Sequence, residues 1–559
     1  MNKYSTVVDI LKYRACTDPE REVYRFYANA AKYVDSVTYK KLMMQSGALA
    51  AVIVAEGLNV NPILLICKSQ KNFILSLFAV MLAGAVAIPA TVSRRKAVND
   101  RLTLIVDDAN PSAAIIDFDS DDRFDFQGKF PKLRSLDIRK FGEADNRSTD
   151  LDACAQRKVD GSSVAILQYT SGSTGEPKGV MVTHGNILHN CEAIEQAMEL
   201  GTQSIGLVAL PLFHDMGLIG GVFSTIFSNF STGFIPPAEF VQYPERWLQI
   251  ISRERVTVSG GPNFMYEHAA SSIQETDIEG ISLSSWRTAF SGAEPICRKS
   301  IRRFIQRFSR YGFEAGSFYP CYGLAEATLF VTGRQCGSGL GEEVSVNPES
   351  VNCGRPRNGT EVVIVDSSTL EVLPEGAIGE IIVSGSSVAL GYRNSSGQIG
   401  DTFGQVLLGQ RNGDCDRYVR TGDLGFKLDG DLYICGREKD VIIFNGRNYF
   451  PDDIERVIDG SHPAIRKFSV VAFGIQAQGR ERVVVVLEIE RGWLKSEAAL
   501  AELRGQVRSS IGTNFDFGLH DIIFLKPGEL PRTSSGKKRR QECRRKYLNR
   551  TLTEPVHAR

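Results

Sequence analysis

Residues 164–179 read VAILQYTSGSTGEPKG. The apolar start of this segment predicts a buried strand, which runs directly into a loop rich in glycine, serine and threonine. Such a loop offers hydroxyls and open backbone N–H groups that hold polyphosphate oxygens, and Lys178 adds a mobile positive charge. The spacing differs from the common NTPase phosphate loop, in which the lysine is followed by Ser or Thr. Taken alone, the segment is therefore open to a second interpretation, a flexible surface loop.

The composition excludes several classes of protein. The chain has 559 residues, and its 65 basic and 65 acidic side chains cancel. The net charge is therefore zero, so no overall electrostatic attraction to nucleic acid or to an anionic membrane is expected. The length predicts two or more domains. The eleven cysteines are scattered without a CxxC pair, which predicts free thiols in a reducing cytoplasm rather than disulfides or a zinc site.

One apolar segment, residues 73–90, is nearly long enough to cross a bilayer. Gly84 and Pro89 interrupt it, so we predict a buried helix as far as Ala83, ended by Gly84, and then a short strand over 85–88. The first residues also lack the apolar stretch of a signal peptide. These observations favour a cytoplasmic protein without stable membrane insertion.

Short apolar runs alternate with amphipathic stretches, which predicts an α/β fold with largely parallel sheets. A helix is predicted over 186–200, ending at Gly201, and strands over 63–67, 113–116, 165–167, 206–210 and 257–260. A small β subdomain is expected from about Val362. After Asp440 a smaller α/β unit begins, with helices over 451–458 and 495–507 and strands over 468–473 and 482–489. The predicted domains are a large N-terminal adenylation-type domain over 1–438 and a small C-terminal domain over 439–559.

Six later segments combine charged side chains with glycine or aromatic residues: PLFHDMGL at 211–218, SGAEP at 291–295, YGLAEAT at 322–328, RTGDL at 420–424, GREKD at 436–440 and PRTSSGK at 531–537. Each has a plain interpretation alone, such as a core histidine for His214 or a turn residue for Asp423. Their order and spacing together resemble the acyl-adenylate-forming superfamily, which includes acyl-CoA synthetases, peptide adenylation domains and luciferases. The resemblance covers nearly the whole chain, as far as Lys537.

The resemblance implies a role in binding ATP and Mg²⁺ for each segment. The β- and γ-phosphates of ATP would be held by Thr170, Ser171, Gly172, Ser173, Thr174, Gly175 and Lys178. The adenine would be enclosed by Gly292, Ala293, Glu294 and Tyr322, with Gly323 beside the ring. Thr328 would lie close to the α-phosphate and Glu326 would bind Mg²⁺. Asp423 would take the ribose hydroxyls, with Arg437 beside them.

The candidate catalytic residues are Lys537, His214 and Glu326, and the resemblance implies that Lys537 bridges the substrate carboxylate and the α-phosphate. A carboxylate that attacks phosphorus must approach an anion, so catalysis is mainly positioning and charge neutralisation and needs no protein nucleophile. Lys439 stands where the family has its hinge, about which the small domain would rotate after adenylation. The alternative for Lys439 is an ordinary exposed lysine.

His214 occupies a position where peptide adenylation domains typically have an aspartate that holds an amino group, which favours simple carboxylic acids as substrates. Residues 218–223 and 260–264 are predicted to line an apolar slot for an acyl chain, although they would serve equally as core. Within the superfamily the chain most resembles the fatty acyl-AMP ligases, through residues 210–220, 260–264, 322–328, 445–455 and 530–537. Those enzymes activate fatty acids and pass them to the phosphopantetheine thiol of an acyl carrier protein, discriminating against CoA.

Three functions remain open at this point. The leading one is an ATP- and Mg²⁺-dependent fatty acyl-AMP ligase whose carrier protein, of a polyketide or peptide synthase, comes from another polypeptide. The alternative is a fatty acyl-CoA synthetase, because the family's insertion that helps to disfavour CoA looks short here, over 331–352. The third is a non-catalytic binding protein. Such a protein should have lost the charged site residues, which this chain retains. The basic run at 537–546 predicts a solvated helix or a docking surface for an acidic carrier.

Overall fold

The computed structural model describes residues 4–28, 32–92, 96–119, 125–141, 158–171, 177–347, 350–393, 402–405, 418–444, 447–477, 480–493, 497–533 and 536–552. Its α-helices are Val7–Thr17, Tyr39–Ala55, Gln70–Leu82, Lys96–Ala109, Phe126–Lys129, His184–Met198, Ser224–Ser228, Pro237–Gln242, Glu245–Arg253, Asn263–Ser272, Arg298–Phe308, Pro451–Ile458, Glu497–Asn514 and Arg540–Leu548. A π-helix spans Met216–Phe223. Short 3₁₀ turns are Leu58–Val60, Ile138–Lys140, Glu275–Ile278, Ser309–Tyr311, Ala315–Ser317, Ala325–Ala327, Glu438–Asp440 and Arg491–Trp493.

Two large sheets form the first part of the chain. The nine-stranded sheet has the order Arg355–Pro356, Phe330–Gly333, Phe318–Gly323, Thr288–Ser291, Val258–Gly260, Ile205–Val208, Ser231–Phe234, Glu22–Ala28 and Lys32–Thr38. The six-stranded sheet has the order Arg134–Asp137, Ala113–Ile116, Ile63–Ile66, Ala87–Pro89, Val164–Ser171 and Pro177–Thr183. The inner strands of both sheets pair in parallel and antiparallel pairs occur at the edges. The predicted α/β class with largely parallel sheets is confirmed.

Smaller sheets follow. An antiparallel sheet is made of Glu361–Val365, Gly379–Ser384, Phe403–Gln405, Tyr418–Leu428 and Asp431–Arg437. A two-stranded pair joins Ile442–Phe444 to Arg447–Tyr449, and a three-stranded sheet contains Ile465–Ala477, Arg480–Ile489 and Leu519–Leu525. Apolar residues from Ile442 onward pack into cores of their own, whereas the main core ends at Leu432. This separation supports our proposal of a domain boundary between residues 438 and 439.

The apolar segment at 73–90 forms the predicted helix and strand in the predicted order, although the strand begins two residues later than predicted. The helix Gln70–Leu82 buries every residue from Phe73 to Met81, Gly84 takes a left-handed φ of 70°, and the strand Ala87–Pro89 follows. No helix in the described part of the chain is long and apolar enough to cross a membrane.

The predicted end of the helix over 186–200 is wrong. The helix His184–Met198 begins two residues earlier, because the Thr183 side chain caps it in a capping box with Asn186. It ends at Met198, and the C-cap residue Glu199 takes the left-handed conformation with a φ of 51°. That residue closes the helix before Gly201 is reached.

Candidate active site

A cavity of about 2630 Å³ brings most of the predicted site residues together. Its walls include the carboxyl ends of parallel strands in the nine-stranded sheet, where α/β proteins commonly bind ligands. The predicted residues that line it are Thr170, Lys178, His214, Gly292, Ala293, Glu294, Tyr322, Gly323, Glu326, Asp423, Arg437, Lys439 and Lys537. Residues 172–176, which hold Gly172, Ser173, Thr174 and Gly175, lie outside the described residues, as does the side chain of Ser171.

Tyr322, Asp423 and Arg437 form one connected group in the cavity. The Tyr322 hydroxyl donates to Asp423 Oδ2 at 2.8 Å, and Arg437 Nε lies 3.1 Å from Asp423 Oδ1. Burial, and then the neighbouring carboxylate, raise the pKa of Tyr322 well above its usual value, so this hydroxyl stays protonated and donates. The Asp423 carboxylate is almost fully buried, which suits a group that recognises ligand hydroxyls.

Glu326 lies in a 3₁₀ turn at the end of the strand Phe318–Gly323. Burial raises the pKa of this carboxyl, and the hydrogen bond from Tyr392, whose hydroxyl donates to Glu326 Oε1 at 2.7 Å, opposes that rise. Among the described residues no group of three or more His, Cys, Asp or Glu side chains could hold a metal ion. A single carboxylate in a cavity suits Mg²⁺, which usually takes one or two carboxylates together with substrate phosphates and waters.

His214 is partly buried at the cavity wall. Its Nε2 has no hydrogen-bond partner among the described residues, and burial together with the charges of Lys537 and Arg101 lowers its pKa to about 3. The imidazole is therefore neutral. The next residue, Asp215, caps the π-helix Met216–Phe223, a rare conformation that often occurs at functional sites. An unpartnered neutral ring nitrogen in a cavity is suited to bind a polar ligand group.

Lys537 reaches this site from the C-terminal unit. Its backbone is fixed by Thr533, whose Oγ1 accepts the Lys537 N–H at 3.0 Å and whose N–H donates to the Lys537 carbonyl at 2.8 Å. Burial dominates the pKa shifts of His214, Asp215 and Glu294, and the Lys537 charge lowers the pKa of each of them. The charge of Lys537 therefore acts on three partly buried side chains of the large domain.

Thr328 departs from the predicted arrangement. It is not among the residues that line the cavity, and its hydroxyl donates to the Ser387 carbonyl at 2.6 Å. Its φ of 67° is positive, a costly conformation for a β-branched residue. The predicted contact with the α-phosphate would therefore need this side chain to rotate. Ala293 also has a positive φ, 66°, so two strained residues lie within this site region.

The apolar lining also differs from the prediction. Of residues 218–223 only Gly220 lines the cavity, and Leu218, Ile219, Val222 and Phe223 belong to the core because the π-helix turns them inward. The prediction that residues 218–223 line an acyl slot is therefore wrong. In the second predicted segment, 260–264, Pro262, Asn263 and Phe264 do line the cavity. Other apolar lining comes from the helix His184–Met198 through Ile194 and Met198, from the strand Ile205–Val208 through Leu207 and Val208, and from Phe230.

Much of the charge in the basic run near the C-terminus is paired within the protein. Arg540 contacts Asp440 at 2.7 Å, Glu455 at 2.9 Å and Asp452 at 3.1 Å, and Lys538 also pairs with Glu455. Arg540 is only 12% exposed. Both predicted interpretations of the run, a solvated helix and a docking surface, are therefore wrong for Lys538 and Arg540.

Two residues for which the sequence predicted no role also reach the site. Gln168 is buried and donates from Nε2 to the Phe213 carbonyl at 2.9 Å, next to His214. Arg101 lines the cavity and donates to the Tyr169 carbonyl at 3.0 Å. Their sequence surroundings are those of an ordinary strand and an ordinary amphipathic helix, so nothing distinguished them in advance.

Comparison with known proteins identifies the family. Residues 11–393 match the AMP-binding enzyme family, and the chain belongs to it. Residues 439–556 match the AMP domain of Disco-interacting protein 2-like proteins. These matches confirm the predicted membership of the adenylate-forming superfamily.

Individual relatives match along almost the whole chain. The medium-chain-fatty-acid–[acyl-carrier-protein] ligase JamA of Moorena producens is 37% identical, over 99% of this chain and 96% of that protein. The long-chain-fatty-acid–AMP ligase FadD32 of Mycolicibacterium smegmatis is 31% identical, over 92% and 89%. The crystal structure of a fatty acid AMP ligase from Legionella pneumophila has a TM-score of 0.73 at 32% identity, covering 100% of this chain and 99% of that one.

Proposed function

We propose that this protein uses ATP and Mg²⁺ to convert a fatty acid to a fatty acyl-adenylate, and then transfers the acyl group to the phosphopantetheine thiol of a separate acyl carrier protein. The observation that carries the proposal is the single cavity in which Glu326, Asp423 and Lys537 meet beside apolar lining. The similarity to JamA and FadD32 over almost the full length supports it. The nine cysteines in the described residues are free thiols, which supports a cytoplasmic location.

In the proposed adenylation, a carboxylate oxygen of the fatty acid attacks the α-phosphorus of ATP. The bond from that phosphorus to the oxygen bridging to the β-phosphate breaks, and pyrophosphate leaves. Lys537 neutralises charge between the two approaching anions, which is the main task of a catalyst in such a transfer. The unpartnered Nε2 of neutral His214 is suited to orient the substrate carboxylate.

The residues also fit the metal that this reaction needs. Glu326 offers a carboxylate inside the cavity, and Lys178 lines the same cavity at the end of the glycine-rich loop. When bound, Mg²⁺ would neutralise phosphate oxygens and hold them in place for the displacement. Tyr322 and Asp423 bind the nucleoside part of ATP in this proposal.

In the proposed transfer, the thiol sulfur attacks the acyl carbonyl carbon, AMP leaves with the electrons of the broken carbon–oxygen bond, and the thiol proton passes to solvent. Lys537 is not needed in this step. Rotation at Lys439 would withdraw it and open a path for the carrier thiol. The segment that would turn is held to the small domain, because Gln541 Nε2 donates to Asp440 Oδ1 at 2.7 Å.

The proposal is tested by incubating the protein with ATP, Mg²⁺ and dodecanoate without any thiol acceptor, and by identifying the products by mass spectrometry. We expect dodecanoyl-AMP and pyrophosphate in equal amounts. Omission of Mg²⁺, or replacement of Lys537 by alanine, should abolish most of both products. Hydrolysis of ATP to ADP, or no reaction with a range of fatty acids, would contradict the proposal.

A further inference from the structure

Tyr392 touches two of the groups that the proposed function assigns to Mg²⁺ and ATP. Its hydroxyl donates to Glu326 Oε1 at 2.7 Å, and Lys178 Nζ lies over its ring, 4.8 Å from the centroid. We propose that Tyr392 is a positioning residue that sets the Glu326 carboxylate and the Lys178 ammonium for Mg²⁺·ATP and keeps these two opposite charges from pairing with each other. This inference rests on the proposed function of the cavity.

The backbone around Tyr392 holds it between the two groups. Residues 389–393 run along the strand Pro177–Thr183 that carries Lys178, and they also bond to the main chain of Glu326. The bonds join Leu390 N to Met181 O at 3.1 Å, Met181 N to Gly391 O at 2.9 Å, Arg393 N to Gly179 O at 2.8 Å and Ala389 N to Glu326 O at 2.9 Å. The short segment therefore fixes both elements relative to each other.

The ring itself is also held in place. Phe403 packs edge-on against it, with ring centroids 5.1 Å apart and an interplanar angle of 82°. Tyr392 lines the cavity together with Lys178 and Glu326. The tyrosine is thus anchored by its backbone and by an aromatic neighbour, while its hydroxyl and one face meet the two charged groups.

The chemistry of a tyrosine suits this position. A buried carboxylate is costly unless it is hydrogen-bonded, and the phenol supplies that bond to Oε1 without supplying a counter-charge. The carboxylate thus keeps its negative charge for a metal. The negative face of the ring attracts the lysine ammonium but is weaker than a carboxylate partner, so Lys178 can leave it for phosphate oxygens. A direct Lys178–Glu326 ion pair would instead occupy both groups before ATP arrives.

Two variants separate these roles. Tyr392→Phe removes only the hydroxyl, and Tyr392→Leu also removes the aromatic ring. The matched control is Tyr418→Phe, because the Tyr418 hydroxyl donates to Glu361 Oε2 at 2.6 Å and neither residue lines the cavity. All three proteins are compared with the wild type in binding Mn²⁺·ATP, followed by electron paramagnetic resonance, in the KM for ATP and for dodecanoate, and in melting temperature.

We expect Tyr392→Phe to weaken Mn²⁺ binding in the presence of ATP by about tenfold or more, since a hydrogen bond to a charged group is lost. Tyr392→Leu should show the same loss. Both variants should therefore have a higher KM for ATP, and the rise should be larger in Tyr392→Leu, because Lys178 is then free to pair with Glu326. The KM for dodecanoate should stay unchanged in both variants. Tyr418→Phe should bind Mn²⁺·ATP as the wild type does.

Wild-type binding of Mn²⁺·ATP by both Tyr392 variants would overturn the inference. A lower melting temperature together with weaker binding of both ATP and dodecanoate would overturn the inference too. Such a result would indicate a merely structural role. The proposed function fails separately: a wild type that binds Mn²⁺·ATP but forms no acyl-adenylate refutes that function, and the binding data still decide the role of Tyr392.

Discussion

The Asp423 carboxylate gives the sharpest test of the nucleotide site, because both its oxygens already face donors. Oδ2 accepts from the Tyr322 hydroxyl at 2.8 Å and Oδ1 faces Arg437 Nε at 3.1 Å. We predict that Asp423→Asn weakens ATP binding strongly. A carboxylate can accept hydrogen bonds from both ribose hydroxyls, whereas the amide keeps one oxygen and replaces the other with a donor.

The size of the effect follows from which contacts change. Arg437 is 64% exposed, and exposed ion pairs contribute little, so its weaker pairing with an amide is a minor loss. The main loss is one hydrogen bond to a charged, buried acceptor, about 1.5–3 kcal/mol. That corresponds to an ATP dissociation constant about 10- to 150-fold higher.

Calorimetric titration with ATP measures this change directly. The matched control is Glu361→Gln, which makes the same chemical change in a carboxylate that accepts from a tyrosine, Tyr418, at 2.6 Å. Since Glu361 does not line the cavity, the control should bind ATP normally. Wild-type ATP affinity in Asp423→Asn, with the fold intact, would refute the assignment of Asp423 to the ribose.

Further predictions concern catalysis, stability and pH. Lys537→Ala should lower pyrophosphate exchange by about 10²-fold or more without lowering the melting temperature, because the side chain is exposed. Arg540→Met should cost about 3–5 kcal/mol in urea unfolding, because three carboxylates lose their buried counter-ion. Burial lowers the pKa of His184 to about 4, so the unfolded chain, with an ordinary value of about 6.5, takes up the proton first as the pH falls. Stability should therefore decrease below about pH 6.5, by about 2 kcal/mol at pH 5, and His184→Gln should remove this part of the urea-unfolding pH dependence.

Each of these predictions has a control in the same chain. Lys526→Ala changes an exposed lysine outside the cavity, and normal exchange is expected. Arg545→Met breaks a pair with Glu542 in which the arginine is 66% exposed, so it should change stability little. His520→Gln removes an exposed histidine. Equal effects of a test variant and its control would contradict the corresponding prediction.

The parallel sheets and the position of the cavity were predictable because they depend on local patterns. Apolar runs such as 113–116 are too short for a helix and are buried on both faces, so pattern and length together identify a strand. The charged motifs follow such strands, and parallel strands bring their carboxyl ends to one edge. That is why His214, Glu294 and Tyr322 line one cavity although they are far apart in the sequence.

The rest depends on contacts that no local pattern encodes. The segment 218–223 is apolar and glycine-rich. The π-helix determines which of its side chains face the cavity. Because the wider turn of a π-helix has no sequence signature, this orientation was not predictable. The positive φ of Thr328 likewise comes from tertiary packing against Ser387. Arg540 looked like part of a solvated basic run, because the three carboxylates that surround it come from positions 440–455.

Competition between two thiols distinguishes an acyl-carrier-protein ligase from an acyl-CoA synthetase. The protein is incubated with ATP, Mg²⁺ and dodecanoate, with CoA and a phosphopantetheinylated acyl carrier protein present together, and all acyl products are quantified by mass spectrometry. We predict dodecanoyl-carrier protein with little dodecanoyl-CoA. Abundant dodecanoyl-CoA would contradict the proposed function and would make the protein a fatty acyl-CoA synthetase.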